Sequence, residues 1–380
     1  MNKIYMDYAS TTYVKEEVLN EMLPFFSEKF GNPSSFYNIA RDTKMAIDKA
    51  RGRISKVLNC SINELYFTSS GSESDNWAIK GVMYSNKDKG NHIITTKIEH
   101  HAVLKTCEYL EKQGYEVTYL NVDKDGMVDL EELKNSIKKN TVLVSIMAAN
   151  NEIGTIQPIK EIGAICRERN VYFHTDAVQA FGSINLDVQD MNIDLLSISA
   201  HKIYGPKGIG ALYIKQGIKI DNLIHGGGQE RARRAGTENV PFIAGFGKAT
   251  EIAYENIEEN NKKLIYLRDR LIKGILEIEG ATLNGSRENR LPNNANFSFD
   301  GVNGEDLLLS LDFKGICASS GSACTSGSLK PSHVLLALGV DEKLAKGSLR
   351  LTLGSLSTEE EVDFIIETLK PTIFKLSKKK

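Results

Sequence analysis

A chain of 380 residues with 41% hydrophobic and 25% charged residues has an ordinary globular composition, long enough to divide its core between a bigger and a smaller domain. The net charge of -2 gives no reason to expect nucleic acid or another polyanion as a partner, and the Lys378–Lys380 run reads as a solvated tail. The N-terminus lacks the charged start and roughly 7–15 apolar residues of a signal peptide, and no apolar run approaches the roughly 18 of a membrane span.

From Leu65 onward, strand-like runs alternate with amphipathic helical stretches. Strands are expected at Leu65–Thr68, His92–Thr95, Glu116–Asn121, Thr141–Met147, Val171–Thr175, Asp194–Ser199 and Ala211–Ile214. This alternation predicts an α/β fold with a mostly parallel, seven-stranded sheet covered by helices on both faces. A long charged helical stretch over Lys248–Glu277 follows. After it come a strand at Asn294–Phe299, a helix at Glu305–Asp312, a Gly/Ser-rich loop at Ser319–Ser328 and a strand at Ser348–Leu353. That part reads as a smaller α+β C-terminal domain. The expected division is 13–250 for the large domain and 251–380, with 1–12, for the small one.

Chemistry-bearing groups fall at the strand ends. Leu65-Tyr-Phe-Thr runs into Ser69-Ser-Gly-Ser-Glu-Ser-Asp-Asn76, a small-residue turn opening a helix. Free N–H groups at such a start bind phosphate, with Gly71 and Ser72 as contacts; a simple N-cap is the plainer alternative. It is neither a Walker loop nor a dinucleotide fingerprint. His100, after a strand and before a helix, can stack on an aromatic cofactor and move protons, or can merely cap. Asn150-Asn-Glu-Ile-Gly154 ends another strand, where amides commonly make turns.

Val171–Thr175 delivers Asp176, with Gln179 one helical turn later; Asp194–Ser199 delivers His201 and Lys202. An acid and a lysine presented there suit pyridoxal 5'-phosphate: the lysine forms an imine with it and the carboxylate keeps its ring nitrogen protonated. A buried Asp–Lys ion pair is the bland alternative. Gln229-Glu-Arg-Ala-Arg-Arg234 reads as a solvated basic loop or as part of a site entrance. In Ser348-Leu-Arg-Leu-Thr-Leu353 the leucines take one face, leaving Arg350 either as a clamp for a substrate carboxylate or as a solvent-facing cation.

Five cysteines, Cys60, Cys107, Cys166, Cys317 and Cys324, form no CxxC pair, so neither a disulfide framework nor a metal site is expected, and the reducing cytoplasm is the expected location. Cys317 looks like a core residue. Cys324 lies in Ala318-Ser-Ser-Gly-Ser-Ala-Cys-Thr-Ser-Gly-Ser328, too polar a run to bury a cysteine as a hydrophobe, and is a candidate nucleophile.

Together, from Tyr5-Met-Asp-Tyr-Ala-Ser-Thr-Thr12 to Leu351-Thr-Leu-Gly354, these segments resemble the cysteine desulfurases, fold-type I pyridoxal-phosphate enzymes of the class V aminotransferase group. The run from Ser319 to Leu335 is similar to the catalytic loop of the subgroup serving iron–sulfur and nitrogenase cluster assembly. The resemblance implies that Lys202 is the Schiff-base lysine, Asp176 the partner of the ring nitrogen and His100 the stacking ring. Asn151 and Gln179 would bond the phenolic edge. Gly71, Ser72, Ser199 and His201 would bind phosphate, joined by Thr237 from a neighbouring subunit, hence a homodimer. Asn32 and Arg350 would hold the substrate carboxylate.

By the same resemblance L-cysteine becomes L-alanine, and its sulfur passes to Cys324 as a persulfide carried on a mobile loop. From there it would go to an iron–sulfur scaffold or another acceptor protein. Ser70-Gly71-Ser72 departs from the Gly-Ala-Thr or Gly-Gly-Thr usual in the phosphate turn but keeps a hydroxyl, and the chain ends soon after Lys370-Pro371. Selenocysteine as substrate, another fold-type I aminotransferase or lyase, and a non-catalytic scaffold are the rival readings.

Overall fold

The computed structural model describes residues 3–320 and 331–377. Its strands are β1 (Ile4–Tyr5), β2 (Leu65–Thr68), β3 (His92–Thr96), β4 (Glu116–Leu120), β5 (Thr141–Ser145), β6 (Tyr172–Asp176), β7 (Leu195–Ser199), β8 (Gly210–Ile214), β9 (Ala281–Leu283), β10 (Asn294–Phe299), β11 (Ile316–Cys317) and β12 (Ser348–Thr352).

The seven-stranded sheet has the order β2-β8-β7-β6-β5-β3-β4. Strand β8 runs antiparallel to β2 and β7, and every other pairing in it is parallel. The expected mostly parallel sheet is therefore present, with β8 as its one reversal. Its central strands β5 and β7 are buried along their whole length, because helices cover both faces. Alternation sorts the side chains of β7 and β8: Leu196, Ile198 and Tyr213 join one core, Leu195 and Leu212 the other.

The helix Asn38–Leu58 packs on the helix Val240–Glu255 so closely that a Cβ on Gly247 would stand 2.5 Å from Ala50 Cα. Only glycine permits that approach. The charged stretch expected as one helix is two, Val240–Glu255 and Ile257–Leu276, broken at Asn256 (φ -124°, ψ 22°). The first buries Ile243, Phe246 and Ala249 in the large core, whereas the second turns Leu267, Leu271 and Ile275 into another. One straight helix could not face both.

That second core surrounds the antiparallel sheet β12-β10-β9 and takes in Phe297, Phe299, Leu349, Leu351 and, from the other end of the chain, Met6. Burying each of these phenylalanines contributes about 2 kcal/mol. Strand β1 pairs with β11, which pins the N-terminal segment across this region. Cys317 on β11 is half-buried, so the expectation of a core residue is only partly met: its side chain sits at the edge of a two-stranded pair.

Candidate active site

The carboxyl ends of β2, β5, β6 and β7 open onto a cavity of about 510 Å³. Of the residues singled out from sequence, Gly71, Ser72, His100, Asn151, Asp176, Gln179, Ser199, His201 and Lys202 all line it. Parallel strands explain the convergence: β6 and β7 pair Asp176 with Ser197, so the groups that follow each strand emerge side by side.

One end of the cavity is built for an anion. Ser70, Gly71 and Ser72 line it and open the helix Gly71–Ser85, whose first N–H groups have no intrahelical acceptor. Ser70 is also the N-cap, accepting from the Glu73 N–H at 3.2 Å, so the plain capping role and the anion-facing role coexist. A Cβ on Gly71 would meet Val178 Cγ2 at 2.6 Å, which is why this turn requires glycine. Lys207, Ser199 and His201 face the same space. Burial lowers the His201 pKa to about 4, with the charges of Lys202 and Lys207 adding to the effect.

Asp176 also lines the cavity, buried, its Oδ1 accepting from the Val178 N–H at 2.9 Å. Burial raises its carboxyl above the usual range, while His100, that N–H and Lys202 pull the other way. His100 caps the helix His101–Glu111, its Nδ1 accepting from the Ala102 N–H at 3.1 Å. Burial lowers its pKa, so it is a neutral ring at pH 7. Lys202 Nζ donates to the carbonyls of Ala9 and, at 2.7 Å, Ser10. Gln179 Nε2 donates to the same Ala9 carbonyl at 2.9 Å. Lys202 bonds backbone oxygens of the N-terminal segment, and it and Asp176 both line the cavity.

Arg350 is not a solvent-facing cation, being 2% exposed. It donates to the Asn151 carbonyl at 2.9 Å and to Asp7 Oδ1 and Ser10 Oγ at 2.8 Å each, while its Nε is buried without a partner. It therefore lies one layer behind Ser10 and Asn151, which line the cavity. Asn32 and Thr237 are exposed and apart from it; Asn32 Oδ1 accepts from the Ser34 N–H. Cys324 lies outside the described residues.

Two further local roles concern the arginine stretch and Asn150. The Gln229–Arg234 stretch is only partly solvated: Arg231 is exposed, yet the arginines of the stretch are engaged. Arg231 bonds the Leu65 carbonyl at 2.6 Å and covers the Tyr66 ring, and Arg234 pairs with Glu73 at 2.8 Å. Asn150 does make a turn, its Oδ1 accepting from the N–H groups of Glu152 and Ile153, and thereby aims Asn151 at the cavity.

Sequence reasoning missed Asp75, Ser10, Thr11 and Lys207, all of which line the cavity. The only local signal for Asp75 is its position four residues after Gly71, on the same helix face. Ser10 and Thr11 come from the far end of the chain, and no local pattern could have placed them there.

The residues present fit pyridoxal 5'-phosphate: a helix start and cations for a phosphate, a neutral ring to stack, a buried acid for a ring nitrogen and an amine. A family model described as aminotransferase class-V matches residues 4–365. The chain is 63% identical over 379 residues to cysteine desulfurase IscS of Clostridium botulinum (strain Hall), which covers 99% of this chain and 95% of that protein. It is 59% identical over 373 residues to cysteine desulfurase IscS of Methanosarcina thermophila, covering 98% and 92%. Among solved structures, a NifS-like protein superposes with a TM-score of 0.93 at 42% identity, covering 98% of this chain and all (100%) of that one. A structure described as SspA in complex with cysteine gives 0.83 at 39% identity, covering 92% and 98%.

Proposed function

Because the chain belongs to the class-V aminotransferase family and is a pyridoxal-phosphate-dependent cysteine desulfurase, we propose the following division of labour among its side chains. The observation that carries it is the meeting of the Gly71 helix start, Asp176 and Lys202 in one cavity.

When bound, pyridoxal 5'-phosphate supplies a covalent hold on the substrate amine and a sink for electrons released at its Cα. Lys202 is the attachment point and the base at that carbon: its amine takes the Cα proton and returns one later in turnover. Asp176 keeps a proton on the ring nitrogen. His100, neutral, stacks on the ring, while Asn151 and Gln179 bond its phenolic edge. Gly71, Ser72, Ser199 and His201 hold the phosphate, with Lys207 beside them. Arg350 and Asn32 take the substrate carboxylate; the unpartnered Arg350 Nε supports this for the arginine.

The thiolate of Cys324 attacks the substrate sulfur, forming an S–S bond as the C–S bond breaks. Cys324 is left as a persulfide and the carbon skeleton leaves as L-alanine. From there the sulfur goes to an acceptor protein of the iron–sulfur assembly type.

A homodimer completes the site, with the neighbour's Thr237 on the phosphate. Its support is the apolar surface around Phe26, Phe30, Phe36, Tyr37 and Ile39, unusual on a monomer. Residues 13–250 form the large domain and 251–380, with 1–12, the small one, as the separate cores suggest. No described helix is long and apolar enough to cross a membrane, and Cys60, Cys107, Cys166 and Cys317 are free thiols, in keeping with a cytoplasmic enzyme.

The test is intact and peptide mass spectrometry after exposure to L-cysteine without reductant, alongside an alanine assay. One added sulfur on the Cys324 peptide, matched by alanine and absent in Cys324→Ala, is the expected result. Alanine with an unmodified Cys324 would sink the assignment of that cysteine.

A further inference from the structure

We propose that Asp75 is a positioning residue for Asp176: a neutral carboxylic acid that holds the two-acid pair at one negative charge and keeps that charge on Asp176. The proposal rests on the reading of Asp176 as the ring-nitrogen partner.

The geometry starts from a cluster. Asp75, His100 and Asp176 each bring a side-chain N or O atom within 4.8 Å of the others, at the wall of the cavity. Asp75 is 1% exposed, and its Oδ1 is buried with no hydrogen-bond partner. The nearest base, His174 Nε2, is 3.7 Å from that oxygen, too far for a hydrogen bond. His174 is no counter-ion either. Its Nδ1 is engaged by Ser145 Oγ at 2.8 Å and its Nε2 by Ser197 Oγ at 3.0 Å, and burial holds its pKa down at about 3.

Two carboxylates this close and this deeply buried cannot both ionise cheaply, so the pair keeps one proton. The partners decide where it sits. Asp176 has the Val178 N–H and the Lys202 charge to favour its anion. Asp75 has only the Ser197 hydroxyl, and it faces the Asp176 and Glu99 carboxyls. Its carboxyl is accordingly the one pushed well above the usual range, by burial first and by Asp176 second.

The consequence concerns proton affinity at the ring nitrogen. Were Asp75 also charged, repulsion would make Asp176 a stronger base, able to take the proton it must leave on the cofactor. With Asp75 neutral, Asp176 stays the pair's single anion, less basic than it would be beside a second charge.

Asp75→Asn and Asp75→Ala test this in the full-length protein, with and without pyridoxal phosphate. Infrared difference spectra at neutral pH should show a protonated-carboxyl stretch in the parent that Asp75→Asn lacks. The titration midpoint of the bound cofactor's visible band should be unchanged in Asp75→Asn, a neutral isostere. Asp75→Ala, which removes the neutral acid beside Asp176, should release the cofactor at least about tenfold faster, the scale on which one favourable contact to a charged group acts.

The proposal is overturned if Asp75→Asn loses no such band, or if its midpoint falls by a unit or more, since either means an ionised Asp75. It is overturned too if Asp75→Ala holds the cofactor as the parent does. Should Asp75→Ala not fold, the two Asp75→Asn measurements still decide. A parent chain that bound no cofactor would sink the reading of the site instead, and the infrared band of the cofactor-free protein would still report on Asp75.

Discussion

Arg350 and Asp7, from opposite ends of the chain, form an ion pair at 2.8 Å in which the arginine side chain is 3% exposed and the aspartate 19%. The pairing leaves Arg350 Nε without a partner beside the cavity wall made by Ser10 and Asn151. Arg350→Lys keeps the charge but loses the planar fork, so the KM for L-cysteine should rise about tenfold or more while kcat changes less. Steady-state kinetics would contradict the carboxylate role if kcat collapsed with KM unmoved.

Lys202 and Gln179 share the Ala9 carbonyl, which ties the lysine to the strap formed by residues 9 and 10. Lys202→Ala should lower alanine formation by roughly a thousandfold or more, because attachment point and Cα base vanish together. The check is borohydride reduction followed by mass spectrometry. The parent should retain the cofactor covalently on the peptide containing Lys202, and the variant should carry none.

Arg51 and Glu230 make a buried, two-pronged pair at 2.9 Å for each contact, and Glu230 also accepts from the Phe67 N–H at 3.0 Å. The pair anchors three consecutive non-glycine residues in the left-handed region, Glu230, Arg231 and Ala232 (φ 46°, 56° and 61°). Arg51→Met strands a buried carboxylate and should cost about 3–5 kcal/mol. Urea unfolding should show Arg51→Met/Glu230→Met recovering part of that loss, though not all, since the Phe67 N–H then has no acceptor.

His174 sets an acid limit on stability. Its pKa is about 3 in the fold against an unfolded value of 6.5. Between those values the unfolded chain binds a proton that the folded chain does not, so stability is present above about pH 6.5 and drains away as pH falls. His174→Gln, which cannot titrate, should lower stability at pH 7 by losing a buried hydrogen bond, yet flatten its decline between pH 6.5 and 5. Unfolding midpoints across that range would refute the assignment if the two slopes matched.

Much of this was legible along the chain. Buried parallel strands need continuous apolar runs, and their polar successors, His100, Asn151, Asp176 and Lys202, mark the sheet edge where ligands bind. The small residues at Ser70–Ser72 likewise declare a tight turn into a helix. Other features carry no local signal. The break at Asn256 depends on two separate cores, and the engagement of Arg231 and Arg234 depends on Tyr66 and Glu73, far away in sequence.

By itself, then, the sequence determined the strands of the large sheet and the delivery of Asp176 and Lys202 at their ends, because hydrophobic period and turn chemistry are local properties. Only the tertiary structure decided that β8 reverses between β2 and β7, that the Ala9–Ser10 carbonyls meet Lys202, and that Asp75 comes up beside Asp176. Those depend on which strands pair and how the termini close over them. Such contacts, spanning up to hundreds of residues, are selected by the packing of the whole core rather than by any segment of it.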